Sequence, residues 1–210
     1  PKGAMLTHQN LVSNALHLIN LWNIDKSDTL IHALPIYHTH GLFVAINTSM
    51  MSGASIRFIK NFNIDLVIEA FKYSTFMMGV PTFYTRLIKD KRLDKSLTKD
   101  MKLFISGSAP LLTETHQDFL NITGHQILER YGMTETNMNT SNPFDGERKA
   151  GSVGKPLKDI SIRINKTKGD KDTVLNKIGM IEIKGPNVFK GYLNNPKKTL
   201  EAFTEDGYFI

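Results

Sequence analysis

Three short stretches of this 210-residue chain gather the side chains that handle anions and protons. In "ERYGMTET" an apolar run, "QIL", leads into Glu129, Arg130, Tyr131, Gly132, Met133, Thr134 and Glu135. Gly132 permits a sharp turn. Thr134 presents a hydroxyl and a backbone N–H beside the carboxylate of Glu135, a hard oxygen donor of the kind Mg2+ takes together with phosphate. Tyr131 offers a ring face for stacking. An ordinary helix start, with Thr134 as N-cap, would use the same residues. The second stretch is Ser106, Gly107, Ser108, Ala109 and Pro110. Its small side chains let backbone approach a flat ligand closely, and they would equally serve a tight strand-to-helix turn. In the third stretch, His38-Thr39-His40-Gly41, a histidine could orient a substrate or donate to developing charge. Spacing does not decide which histidine faces a cleft, and a purely structural role stays open for each. Arg86, in "PTFYTRLI", shares a helix face with Thr82 at i+4. It either snorkels outward or binds an anion.

All three stretches follow apolar runs, and the patterning explains why. Thr7 is placed to cap a helix carrying Leu11, Ala15, Leu18 and Ile19. "TLIHALPIY", "SIRFIK", "TFMMGV", "KLFISG" and "QILERYG" read as strands. Between them "LFVAINTSMM" (stopped by Gly53), "IDLVIEAFKYS", "PTFYTRLIKD" (opened by Pro81) and "LLTETHQDFLNITG" read as helices. Strands alternating with helices predict an α/β fold with a mostly parallel sheet covered on both faces. Ligands of such sheets bind beyond the carboxyl ends of the strands, where the three stretches fall. Met77 and Met78 are read as core. From residue 146 the texture changes: "GSVGKP", "ISIRIN", "GMIEIKGPNVFKGY" and "YFI" are short strands broken by Gly, Pro and Asn. Residues 1–145 are therefore expected to form the α/β part, and 146–210 a small β-rich, barrel-like subdomain. Residues 166–177 read as a solvated lysine-rich loop.

Composition narrows the chemistry. No cysteine is present, which excludes disulfides and thiolate metal sites, and the seven histidines do not fall at zinc spacing. Nothing approaches the run of about 18 apolar residues that a membrane span needs. The net charge of +6 is scattered, with no basic stripe interleaved with aromatics, so nucleic-acid binding is disfavoured.

Taken together and in order, these segments resemble the adenylate-forming superfamily of acyl-CoA synthetases, luciferases and peptide-synthetase adenylation domains. "PKGAMLTHQNLVSN" is similar to the end of the family's phosphate loop and the helix after it. "LPIYHTHG", "SGSAPL", "ERYGMTET", "GSVGKP" and "GPNVFKGYLNNPKKTLEAF" resemble five further family motifs. The resemblance covers essentially the whole chain and is nearest to the malonate-activating branch.

It implies an acid–CoA ligase using malonate, ATP and coenzyme A, with Mg2+. Thr134 would contact the α-phosphate and Glu135 the metal. Tyr131, with Glu129, Arg130, Gly132 and Met133 around it, would face adenine across from Gly107, Ser108, Ala109 and Pro110. Lys2 would belong to the phosphate loop. His38 would line the acid pocket near the reacting carboxylate, Arg86 would hold malonate's second carboxylate with help from Ser106, and Met133 would close the pocket. A ligase for methylmalonate or another short acid stays open, as does a non-catalytic nucleotide-binding domain. The chain starts inside the phosphate loop and stops before an expected Thr-Gly-Asp. It is thus expected to be an internal piece of the large N-terminal domain, inactive alone, from a protein of the cytoplasm, or of the mitochondrion if a targeting peptide precedes Pro1.

Overall fold

A computed structural model of the chain describes residues 2–166 and 178–210. The expected lysine-rich loop, Lys166 apart, lies outside the described residues, as does Pro1. Helix α1 (His8–Trp22) opens on Thr7, whose hydroxyl accepts from the Asn10 amide while the Asn10 side chain accepts from the Thr7 amide. This reciprocal cap satisfies two of the donors that a helix start leaves free.

Strands β1 (Thr29–His32), β2 (Ser55–Phe58), β3 (Phe76–Gly79), β4 (Leu103–Ser106) and β5 (Leu128–Met133) pair in parallel in the order β2-β1-β3-β4-β5. Strands β6 (Asn137–Ser141) and β7 (Lys155–Pro156) extend the sheet antiparallel, so it continues past residue 145. Helices α2 (Asn47–Ser52), α3 (Ile64–Ala70), α4 (Pro81–Leu87) and α5 (Thr113–Thr123) connect the strands. The fold is the mostly parallel α/β sheet with flanking helices that the patterning predicts. Trp22, Phe71, Phe76, Met77, Met78, Tyr84, Phe104 and Phe119 are buried in one continuous core.

Strands β8 (Ser161–Asn165) and β9 (Met180–Lys184) form a two-stranded antiparallel sheet; a single bridge joins Ile183 of β9 to Phe209, which in turn bridges to Phe203. Helix α6 (Pro196–Glu201) follows.

Two local readings change. Strand β1 ends at His32 rather than at Tyr37. The chain then turns at residues 35–38 and enters a π-helical stretch, His40–Ile46, that runs on into α2. The His32 imidazole anchors this turn: its Nδ1 lies 3.3 Å from the Leu34 amide, and its Nε2 lies 3.0 Å from the Gly41 carbonyl oxygen. Second, Thr134 starts no helix. A register shift at Tyr131/Gly132 and a left-handed Asn137 fold residues 133–136 into the turn of a β5–β6 hairpin. Such a bulge bends the strand and re-aims the side chains around it.

Candidate active site

Two cavities open at the carboxyl ends of β1, β3, β4 and β5, and Ser108 forms part of both. One, of about 420 Å³, is lined by Leu34, Tyr37, His38, His40, Phe62, Phe83 and their neighbours. Its wall is aromatic: the Phe62 and Phe83 rings stack with centroids 4.1 Å apart. The other, of about 440 Å³, is lined by Ser106, Ser108, Ala109, Pro110, Glu129, Arg130, Tyr131 and Gly132, with Gly151 and Val153 opposite. It suits a flat ring between Tyr131 and the small residues after β4. Glu129 braces this second cavity. One carboxylate oxygen accepts from the Gly151 amide at 2.8 Å, and burial pushes the carboxyl above its ordinary range.

The two histidines separate. His38 is exposed at the mouth of the first cavity, its ring 5.5 Å from that of Tyr37. His40 is buried; its Nδ1 lies 3.2 Å from Ser108 Oγ, and its Nε2 has no partner among the described residues. Ser108 itself has φ 70, a left-handed conformation uncommon outside glycine. His40 thus reaches the residue shared by both cavities, whereas the resemblance gave the acid-pocket role to His38, which lines the first cavity as well.

Burial, and then the charge of Arg130, hold the His40 imidazole well below its ordinary range, so it is neutral near pH 7. As pH drops through about 6.5, the unfolded chain takes up a proton that the folded chain excludes, and stability falls. His32 and His125, also lowered first by burial, add to the same slope. His40→Gln is expected to make the loss of Tm between about pH 7 and about pH 5 shallower. Calorimetry at several pH values reads this, and an unchanged slope would exclude His40 as a contributor.

The arginines separate as well. Arg130 is buried beneath Gly107, where an added Cβ would collide with the guanidinium. Its Nε and Nη2 lack partners among the described residues, as does the buried Ser106 Oγ. Burial pushes Arg130 down to about 9, which leaves it cationic at neutral pH. Arg86 is exposed and lies with its guanidinium carbon 4.6 Å from the centroid of the Phe62 ring, which lines the first cavity. Lys60, which the sequence did not single out, also lines that cavity. Met133 lies outside the linings of both cavities, with its sulfur 3.8 Å from the Tyr131 hydroxyl.

The Thr134–Glu135 turn is held from several sides. Asn187 donates to the Thr136 carbonyl at 2.6 Å and to Asn139 Oδ1 at 2.9 Å. The Phe189 amide donates to the Glu135 carbonyl at 2.8 Å. Thr134 is exposed and Glu135 partly buried. Among the described residues no group of three or more His, Cys, Asp or Glu could hold a metal by itself. A single carboxylate suits Mg2+ that is shared with substrate phosphates. Lys2 lies with its ammonium 4.9 Å from the Tyr192 ring centroid.

A parallel sheet with a small-residue turn after one strand and a Thr-Glu turn after the next defines the class. Residues 1–193 match the family described as AMP-binding enzyme, and the chain belongs to that family. The malonate–CoA ligase of Arabidopsis thaliana is 37% identical over 229 aligned residues, which span all of this chain and 37% of that protein. ATP-bound MatB from Rhodopseudomonas palustris is 55% identical, with a TM-score of 0.97 over all of this chain and 42% of that one. A malonyl-CoA ligase in a product complex with methylmalonyl-CoA and AMP is 38% identical, with a TM-score of 0.90 over all of this chain and 46% of that one. The chain therefore spans less than half the length of each of these proteins.

Proposed function

We propose that the chain is the nucleotide- and acid-binding core of an ATP-dependent malonate–CoA ligase. The observation that carries this is the pair of cavities meeting at Ser108, one flat-walled and one aromatic. ATP occupies the cavity between Tyr131 and Ser108–Pro110, with adenine against Tyr131 and its α-phosphate at Thr134. Malonate occupies the other. One malonate carboxylate oxygen attacks the α-phosphorus and pyrophosphate leaves. The thiol of coenzyme A then attacks the acyl carbon, its proton passes to solvent, and AMP leaves.

Two anions must approach each other for the first step. Arg130, charged and buried beside Ser106 and Ser108, supplies fixed positive potential there and needs no reorganisation as charge shifts. Neutral His40 holds Ser108 in its left-handed conformation and keeps the junction of the cavities in shape. Mg2+, held by Glu135 with the phosphates, would neutralise charge on the leaving group. Most of the remaining work is positioning.

Malonate's second carboxylate needs a counterion. Arg86 forms no ion pair among the described residues and rests on the face of a cavity-lining ring. Leaving an exposed cation–π contact costs only about 0.5–1 kcal/mol. A bidentate carboxylate pair returns more than that once the cavity is closed to water. Lys60 offers only a point charge, so Arg86 is the better match.

Methylmalonate is the second reading, supported by the methylmalonyl-CoA bound in one structural relative. A single methyl changes pocket binding by only ~1–3 kcal/mol. The test is product identification. Full-length protein is incubated with ATP, coenzyme A and a panel of acetate, malonate, methylmalonate and succinate. Malonyl-CoA as main product supports the proposal. Preferred methylmalonyl-CoA selects the second reading, and no pyrophosphate release with any acid overturns both.

A further inference from the structure

We propose that Tyr192 is a positioning residue for Glu135, fixing that carboxylate for a divalent cation; this rests on the reading of Glu135 as the metal ligand. The Tyr192 hydroxyl donates to Glu135 Oε1 at 2.9 Å. The bond occupies one carboxylate oxygen and leaves Oε2 for a cation. A free glutamate has three rotatable side-chain bonds, and ordering them costs conformational entropy. A metal that must first order its ligand binds correspondingly less tightly.

Tyr192 can do this because it is itself held by several neighbours. Its backbone amide donates to Thr199 Oγ1 at 2.9 Å, and its ring meets that of Phe189 edge-on at 4.9 Å. Gly191, just before it, has φ 138, and a Cβ there would strike Thr199. Residues 3–5 pair antiparallel with residues 190–193: the Met5 amide donates to the Gly191 carbonyl, the Lys190 amide to the Met5 carbonyl and the Leu193 amide to the Gly3 carbonyl. Lys2 then lies over the Tyr192 ring. Because Phe189 also donates to the Glu135 backbone, one short segment orders both the main chain and the side chain of Glu135.

The experiment uses full-length protein and the variant Tyr192→Phe, which keeps the ring and removes only the hydroxyl. Mn2+ is the probe, titrated into the protein–ATP complex and followed by electron paramagnetic resonance. Mg2+ dependence of pyrophosphate release is measured alongside. Tyr192→Phe is expected to weaken Mn2+ binding and raise the half-saturating Mg2+ by about 10-fold. The KM for malonate and the affinity for ATP without metal should stay unchanged. On a Glu135→Gln background the same change should add nothing. If Glu135→Gln weakens Mn2+ binding and Tyr192→Phe does not, the role of Tyr192 is overturned and the metal reading stands. If Glu135→Gln leaves Mn2+ binding intact, the metal reading fails and takes this proposal with it.

Discussion

Arg86→Ala in the full-length protein is expected to lower kcat/KM for malonate by about two orders of magnitude, ~3 kcal/mol of lost stabilisation. The loss arises because malonate's distal carboxylate would be desolvated in an aromatic cavity with no bidentate partner. An apolar acid of similar size has no such group, so butyrate should lose little, and the ratio of the two acids measures the specificity role. Two controls separate neighbouring charges. Lys60→Ala removes the cation that lines the cavity itself and is expected to cost malonate less than Arg86→Ala, because an ammonium does not bind carboxylate bidentately. Arg130→Met should slow both acids alike, since that guanidinium is buried on the nucleotide side and faces charge common to every acyl adenylate. Steady-state kinetics with both acids reads all three variants. Equal losses on malonate and butyrate for Arg86→Ala would remove its role in choosing the acid, and a malonate-only loss for Arg130→Met would transfer that role inward.

Gly132→Ala is expected to destabilise the protein by ~3 kcal/mol and to slow adenylation at least as much as it lowers Tm would suggest. Gly132 has no positive φ; its requirement is space. An added Cβ would run into the Asn137 carbonyl and the Met138 methyl across the hairpin. The bulge would have to open, and the Thr134–Glu135 turn would move with it. Met138→Ala clears the side-chain obstacle and leaves the backbone one. The double variant Gly132→Ala/Met138→Ala should therefore remain defective in both Tm and pyrophosphate release. Full rescue by Met138→Ala would show that side-chain packing, not the close approach of two backbones, demands glycine here.

How much of this was legible beforehand follows from range. Fully apolar runs such as "TFMMGV" and "KLFI" need cover on both faces, so their alternation with amphipathic helices dictates a parallel sheet. That sheet in turn places chemistry at the strand ends. The helix start at Thr7 and the stop at Gly53 depend on a few adjacent atoms, and both occur as the local residues predict. The turn after Met133 was not legible, because Thr134 is as good a cap as it is a turn residue. Contacts from residues 187 and 189, more than 50 positions away, stand around the hairpin turn.

By itself, then, the sequence determined the α/β sheet, its flanking helices and the strand ends at which Ser106 to Pro110 and Tyr131 to Glu135 emerge. Periodicity and turn chemistry act over a few residues, and burial converts them directly into layers. Only the tertiary structure decided that His40 rather than His38 reaches Ser108, that Arg130 is sealed beneath Gly107 while Arg86 rests on Phe62, and that Tyr192 grips Glu135. Each of those joins residues from different elements, and their meeting depends on how the elements pack, which no local spacing encodes.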